Sequence, residues 1–530
     1  MKKKLRILYF QPMERKLNVF SLVRTSMFNL ATLILAEIAR KKGYKHEAFA
    51  KPIFVEALLS REERRGLAKL FAENCDILAA SAYDSNIKTV YELFKEVKRF
   101  NPSLITVIGG PRVGYVPEEA LFQKTDIVVR AEGEETWSEL LEKLHFHKFS
   151  NSKPTLKESL ADVSGISFRN SDGFCVHNPD RPPIENLDEY PAPNLDLVYK
   201  YNRERGRALP ATTSRGCPYR CYFCNEWKRL GGGKYRYRSP DYVFKNVLRI
   251  IEGINNPKIF FFDNNFVVNK KKHTIPLLEK IIKLRESGTN LTFTCQVRVE
   301  TAADEEFMEL MVKAGCTRVF VGVESLNAET LKEFKKGITL KQITKSFEVC
   351  RKLGIEYHAM TIFGSDSDKP ETLRNLIESL ERFGEHISLQ ICALIALDAT
   401  GQAEQWQREQ RVFNPDLDCR DGQYITHWPN NMTPFQAQLA ITRNYLHYYR
   451  LRLTIPQTIK AYAEFIQEKG LIYTIRNIHK PLFENNIRLL LRYYAWGITL
   501  WWAIINVSYF VHLWWISRNY IPPHNPISKK

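Results

Sequence analysis

Three cysteines stand close together in the stretch TTSRGCPYRCYFCNEW. Three residues separate Cys217 from Cys221, and two separate Cys221 from Cys224. Three thiolates can ligate three irons of a cubane [4Fe–4S] cluster, for which full ligation takes four cysteines. The fourth iron is then open to an external ligand. A structural zinc centre is the rival use of thiolates, but it takes four protein ligands. No second Cys-x-x-Cys and no nearby His pair supplies a fourth. The other cysteines are scattered, mostly in apolar contexts such as Cys295 in LTFTCQVRV and Cys392 in LQICALIAL. They are expected as small buried hydrophobes. Ten cysteines in 530 residues are too few for a disulfide scaffold, and the pattern fits a reducing cytosol.

The elements around this cluster repeat. Strand patterns run over 208–214, 259–266, 291–299, 318–325, 357–364 and 387–397. Amphipathic helices fall between them, as at 242–254, 274–287 and 340–353. Six βα units in a row predict a partial (β/α)6 barrel over 206–400, with the cysteines directly after its first strand. Residues at the strand ends then line one open face.

An earlier series, over 1–145, also alternates apolar strands with helices: 5–10, 75–81, 103–110 and 126–130 read as strands, and 29–41, 88–100 and 136–144 as helices. This predicts a doubly wound, Rossmann-like α/β domain whose ligands lie at the carboxyl ends of the strands. The opening MKKKLRILYF reads as its first strand and not as a signal peptide, because the apolar run breaks at Gln11. Residues 146–205 hold PPIENLDEYPAPNLD and read as a linker with one small hairpin. From 401 to 530 helices dominate. Hydrophobic residues make up 44% and charged residues 26%, a globular composition with ample material for a core.

The cysteine stretch resembles the signature of the radical S-adenosylmethionine (SAM) superfamily, Cys-x3-Cys-x-aromatic-Cys, with Phe223 as the aromatic. The resemblance implies a cluster whose open iron binds SAM and cleaves it reductively to a 5′-deoxyadenosyl radical. It also implies SAM contacts at later strand ends. Phe223 would pack near adenine. Asp263 and Asn264 would meet the SAM amino group. Gln296, Arg298, Gly322, Glu324 and Ser325 would lie by its carboxylate and ribose. A barrel-interior salt bridge is the other reading of Arg298 and Glu324.

The run IGGPRVGYVPEEALFQKTDIVVRAEGEETW resembles the end of the cobalamin-binding domain that precedes the barrel in the B12-dependent subfamily. That likeness implies cobalamin over 1–145, with Gly109, Gly110, Gly133 and Glu134 at the strand ends that approach it. The cobalt-ligating Asp-x-His-x-x-Gly pattern is missing. His46 and His145 lack its flanking residues and read as structural or solvated. Several members of the subfamily bind cobalamin without a protein ligand below the cobalt. The stretches TGQAEQWQREQRVF and DGQYITHWPNNMTPFQAQLAITRNYLHYY are similar to the C-terminal region of hopanoid and bacteriochlorophyll C-methylases.

The segment 493–516 carries no Asp, Glu, Lys or Arg, yet it holds Asn506, His512 and five tryptophans, Trp496, Trp501, Trp502, Trp514 and Trp515. Tryptophan prefers the membrane interface. The net charge is +18, and half of it lies in 441–530, where 12 Lys/Arg face 3 Asp/Glu. Basic and aromatic together favour helices lying on the cytoplasmic face of a membrane over a nucleic-acid partner. A true span and a soluble core helix are the alternatives.

The chain is therefore expected to be a cytoplasmic enzyme, associated with the membrane face, that methylates an unactivated carbon of an apolar small molecule, an isoprenoid lipid or a tetrapyrrole. The resemblance adds an external electron donor. Two other outcomes remain open at this point: radical cyclisation, oxidation or rearrangement without methyl transfer, and a non-catalytic cluster or cobalamin sensor.

Overall fold

The computed structural model describes residues 4–12, 29–49, 61–150, 155–195, 208–229, 234–384, 386–450, 459, 463, 467 and 487–519. The first sheet comprises β1 (Arg6–Phe10), β2 (Lys45–Phe49), β3 (Ile77–Ser81), β4 (Ile105–Gly109), β5 (Ile127–Val129), β6 (Ile166–Arg169) and β7 (Cys175–His177), in the order β2-β1-β3-β4-β5-β6-β7. Strands β1 to β5 run parallel, and β6 and β7 are antiparallel additions at the β5 edge. Alternation along β1 divides its side chains between two cores. Leu8 and Phe10 pack with helices Arg61–Asn74 and Ile87–Phe100. Ile7 and Tyr9 pack with helices Leu30–Lys41 and Glu134–Phe149. Burial on both faces is why β1, β3 and β4 read as unbroken apolar runs. The hairpin expected within 146–205 is β6–β7, so the first sheet extends into that stretch. The Pro- and Asn-rich part follows the hairpin.

The second sheet comprises β8 (Leu209–Ala211), β11 (Lys258–Phe261), β12 (Thr292–Val297), β13 (Cys316–Glu324), β14 (Glu356–Phe363) and β15 (Ile387–Ala393). Between the first two lie β9 (Ser214–Arg215) and β10 (Arg236–Tyr237), a separate antiparallel pair. All six large-sheet strands are parallel and stand in chain order, which is an open (β/α)6 barrel. Burial alternates strictly along β12, β14 and β15. Buried residues such as Tyr357, Ala359 and Phe363 face the helices, and half-buried ones such as His358 and Met360 line the lumen. Helix starts are locally encoded. Ser239, Asp304 and Thr339 each cap a helix through the side-chain oxygen.

The barrel does not close, so β15 has a free edge. Tyrosines of helix Pro434–Tyr448 and the residue after it cover that edge. The Tyr449 hydroxyl accepts from the Leu389 N–H at 2.8 Å and donates to the Leu389 carbonyl at 2.6 Å. Tyr445 accepts from the Ile391 N–H, and Tyr448 donates to the Ile387 carbonyl. An uncovered edge would invite pairing with another chain.

The apolar segment 493–516 is two helices, Ile487–Ile505 and Val507–Asn519, broken at Asn506. The Asn506 side-chain oxygen accepts a 3.0 Å bond from the Tyr424 hydroxyl, which ties the break to the protein. Among the described residues no helix is long and apolar enough to cross a membrane.

Candidate active site

The cysteine loop leaves the barrel after β8 and is clasped at its base by β9 and β10, where Arg215 faces Arg236. Pro218, Tyr219 and Arg220 form its exposed apex, while Cys221 is buried and Cys217 and Cys224 are half-buried. The Tyr222 N–H bonds the Phe334 carbonyl at 3.0 Å, and the Cys224 N–H bonds the Cys221 carbonyl at 3.1 Å. All three thiols are free. Burial pushes the Cys217 thiol up and the Cys224 thiol up to about 12. The loop therefore suits thiolates only where a metal group compensates their charge. Arg298 and Lys336 oppose burial at Cys217, each pulling its thiol back down. Among the described residues no set of three His, Cys, Asp or Glu could hold a single metal ion. A cubane asks something different of three thiolates, since each binds its own iron. The donor set fits that group.

Asp263 follows β11 and is buried. Its Oδ1 accepts from the Thr213 N–H (2.9 Å), the Ser214 N–H (2.7 Å) and the Ser214 hydroxyl (2.7 Å), pinning the start of the loop. Its Oδ2 is buried without a partner. Burial pushes its pKa up to about 6. Asn264 is exposed and donates to Glu226 at 2.7 Å. Gln296 is half-buried on the inner face of β12. Arg298 bonds Glu300 at 2.7 Å and the Lys336 carbonyl at 2.9 Å, with its guanidinium 3.7 Å over the Tyr219 ring.

The end of β13 is strained. Glu324 has φ +60, outside the region most residues adopt, and its buried carboxylate pairs with Lys336 at 2.6 Å. A Cβ on Gly322 would lie 2.5 Å from Glu324 Oε1 and 2.9 Å from Lys336 Nζ. Glycine there leaves room for the ion pair under the loop. Ser325 is buried, and its hydroxyl accepts from the Asn327 N–H. Phe223 sets its edge against buried Phe334, 4.9 Å between centroids.

In the first domain Gly110 follows β4 with φ +117. A Cβ there would stand 2.3 Å from the Ala82 carbonyl oxygen, so the chain after β3 and the chain after β4 touch only through glycine. Gly109 ends β4, and Gly133 caps helix Glu134–Phe149. Glu134 bonds Arg215. Glu132, beside it, bonds Arg215 at 3.0 Å and Arg236 at 2.6 Å, and it accepts from the Ile184 N–H at 2.8 Å. Burial alone would raise the Glu132 pKa, but Arg236 and Arg215 outweigh it and hold the carboxyl below its ordinary range. The turn after β5 is thus bolted to the base of the cysteine loop. A second ionic group, Arg112 and Arg420 with Asp84, Glu119 and Asp398, joins the ends of β3 and β4 to the chain beyond β15. His145 packs against Tyr44 and Phe149. His46 lies in β2, whose side chains are outside the described residues, as are residues 13–28 after β1.

Several site residues carry no local sequence signal: Arg215, Arg236, Lys336 and the lumen group around His358. There Phe260 meets Phe320, Phe320 meets His358 at 4.8 Å, and His358 bonds Ser388 at 2.8 Å. Burial pulls the His358 pKa down to about 4, so its ring is neutral at physiological pH. Period-two counting along β14 and β15 could have placed His358 and Gln390 on one face.

Two family models match the chain. One, the radical SAM superfamily, covers residues 212–380, and the other, a B12 binding domain, covers 19–141. They assign a [4Fe–4S] cluster and SAM to the barrel and cobalamin to the first domain. An uncharacterised methyltransferase of Pyrococcus horikoshii is 29% identical over 59% of this chain and 65% of its own length. The anaerobic magnesium-protoporphyrin IX monomethyl ester cyclase of Rubrivivax gelatinosus is 27% identical over 64% of this chain and 60% of its own. The hopanoid C-2 methylase of Rhodopseudomonas palustris is 29% identical over 50% and 52%. The chain thus spans 52% to 65% of the length of these curated relatives. Among solved structures, the cobalamin-dependent SAM radical enzyme OxsB with aqua-cobalamin shares the fold, with TM-score 0.65 at 17% identity over 98% of this chain and 85% of that one.

Proposed function

We propose, for a chain that carries a B12-binding domain ahead of a radical SAM domain, that it transfers a methyl group to an unactivated carbon of an apolar small molecule. The observation that carries this reading is the Glu132–Glu134–Arg215–Arg236 clasp, which fastens the strand-end face of the first domain to the cysteine loop of the barrel. When bound, the cluster and SAM supply a carbon-centred radical, and cobalamin supplies a methyl group.

The chain's own residues place and shield. Asp263 anchors the loop through Oδ1 and leaves Oδ2 for a cationic group such as the SAM ammonium. Lys336 and Arg298 set positive charge beside the thiolates, and Gly322 leaves the space that Glu324 and Lys336 occupy. Phe223 offers an aromatic edge to adenine; Asn264, Gln296 and Ser325 are the neighbouring polar groups. Gly109, Gly110 and Gly133 bring backbone to the cobalamin side, where Glu134 acts by holding Arg215. The lumen presents Phe260, Phe320, Met360 and a neutral His358, with Arg318 and Glu356 on the same strand faces paired to each other, a lining that suits an apolar carbon skeleton.

Membrane apposition belongs to the same reading. Trp501, Ile504, Ile505, Val507, Val511, Trp514 and Trp515 are exposed on the last two described helices, while Thr499, Trp502, Leu513 and Ile516 face inward. With the basic charge of 441–530, this face suits an anionic bilayer, and such a surface would deliver an isoprenoid lipid or a tetrapyrrole.

The test is incubation of the reconstituted chain with methyl-labelled SAM and membrane extract. Labelled lipid or pigment together with 5′-deoxyadenosine is expected; absence of both sinks the reading. The cyclase relative favours one second outcome, ring formation on the same scaffold. Product mass separates them, because methylation adds a carbon and cyclisation does not.

A further inference from the structure

We propose that Gln390, oriented in the barrel lumen by His358 and Ser388, receives an uncharged oxygen of the substrate, so that the substrate is a neutral apolar molecule bearing a hydroxyl, carbonyl or ether group. The inference rests on the reading of an apolar substrate and adds the polar group that this substrate carries.

A closed barrel fills its interior with layers of side chains. Here the interior is not filled. Along β12, β14 and β15 each inward side chain is only half-buried, so the lumen admits a ligand along its depth. Phe260 meets Phe320 at 5.2 Å and Phe320 meets His358 at 4.8 Å, a row that makes a floor across it. Gln390 pairs with Met360 one layer nearer the strand ends. From Gln390 to the end of β15 at Ala393 is about 10 Å.

Hydrogen bonds decide which way the Gln390 amide points. Its Oε1 lies 3.3 Å from His358 Nε2, and His358 Nδ1 lies 2.8 Å from the Ser388 hydroxyl. The neutral His358 ring has one N–H to give. Oε1 can only accept, so that proton sits on Nε2 and Ser388 donates to Nδ1. The Gln390 amide nitrogen is thereby turned away from His358. It donates to the Cys392 thiol at 3.3 Å, a weak acceptor, and its second N–H has no partner among the described residues. A substrate oxygen is the better partner. Charge on the inner strand faces is matched within the protein. Arg318 holds Glu356 at 2.6 Å, and Lys336 holds Glu324 at 2.6 Å. An ionised carboxylate would enter with no cation left to meet it, which costs far more than burying an uncharged oxygen.

The experiment uses the reconstituted full chain, its Gln390→Leu variant, and probes that share one carbon chain: farnesol, farnesene and farnesoic acid. Affinity is read by equilibrium dialysis of the tritiated probes. Wild type should bind farnesol roughly tenfold more tightly than farnesene or farnesoic acid. Gln390→Leu should lose that preference and keep the farnesene affinity, which reports an intact lumen. The carbonyl stretch of isotope-labelled farnesal should lie at lower frequency in wild type than in the variant, because a donated hydrogen bond weakens the carbonyl. Equal wild-type affinity for farnesol and farnesene overturns the proposal, as does binding of no probe or a farnesol preference that survives Gln390→Leu. Tightest binding of farnesoic acid overturns it too. Binding is read without turnover, so its failure is separate from that of methyl transfer. Label from SAM in a product with ionised carboxylates keeps methyl transfer and overturns this inference; a product without label overturns methyl transfer alone.

Discussion

Removing the Glu132 carboxylate should loosen the cysteine loop more than any other single charge change in the first domain. Glu132 is buried and meets two arginines, Arg236 at 2.6 Å and Arg215 at 3.0 Å, as well as the Ile184 N–H. Glu132→Gln removes the carboxylate charge that the two guanidinium groups share. Breaking a buried ion pair by deleting one partner costs about 3–5 kcal/mol, because the other charge stays desolvated. At about 1.4 kcal/mol per factor of ten, amide exchange at Ile184 and at 213–217 should accelerate by roughly 150- to 4,000-fold. Hydrogen–deuterium exchange read by mass spectrometry measures this, with peptides from β14 as the internal control. Lowering the pH tests the same bond. The folded pKa of Glu132 is depressed, so its stabilisation is complete above the ordinary carboxylate range. It is lost only as pH falls below that range, through the folded value. In a double-mutant cycle, Glu132→Leu with Arg236→Leu should recover most of the loss. A Glu132→Gln chain that exchanges like wild type, or a cycle with coupling below about 0.5 kcal/mol, would refute the reasoning.

Cys224→Ala should lower iron content per chain and abolish 5′-deoxyadenosine formation, measured after anaerobic reconstitution. Gly110→Ala, forced to φ +117 with its Cβ against the Ala82 carbonyl, should cost about 1–3 kcal/mol and lower cobalamin uptake, read by calorimetry and the bound corrin spectrum. Tyr449→Phe removes both partners of Leu389 on the open barrel edge and should cost about 2–5 kcal/mol, with concentration-dependent association seen by light scattering. Burial pulls the His427 pKa from 6.5 down to about 3, so the unfolded chain takes up a proton that the native site refuses. Stability should fall as pH drops below 6.5, by about 1.4 kcal/mol per unit from this residue, and His427→Gln should flatten urea-melt stability against pH by that slope.

The parts legible in the sequence were those whose cause is local. Cys217, Cys221 and Cys224 share one loop, and their spacing alone limits the chemistry. The six barrel strands announce themselves because alternation separates lumen from core along β12, β14 and β15. Strand β2 was not legible, since KHEAF is too polar to read as a strand; it stands at the sheet edge, where one side needs no partner strand. The segment 493–516 has no charge to mark a break, and Asn506 interrupts the helix by a contact to Tyr424, 82 residues away in sequence. Glu134 was legible as a strand-end acid, but its partner Arg215 lies 81 residues on. Nothing in either stretch encodes that distance.

The same reasoning explains what charges contribute where the two α/β units meet at the cysteine loop. Apolar contacts stabilise by area and tolerate sliding. A guanidinium fork on a carboxylate fixes both direction and distance. Here Arg215 and Arg236 face each other across a two-residue ladder, and both reach Glu132. Such a clasp sets the loop in one register against the turn after β5. A slip of one residue in β9 or β10 would turn an arginine away from its acid. Strict placement is what a loop needs when the groups on its two sides must act on one substrate atom, and the strained Glu324, held by Lys336 beneath the same loop, imposes the same demand from the barrel side.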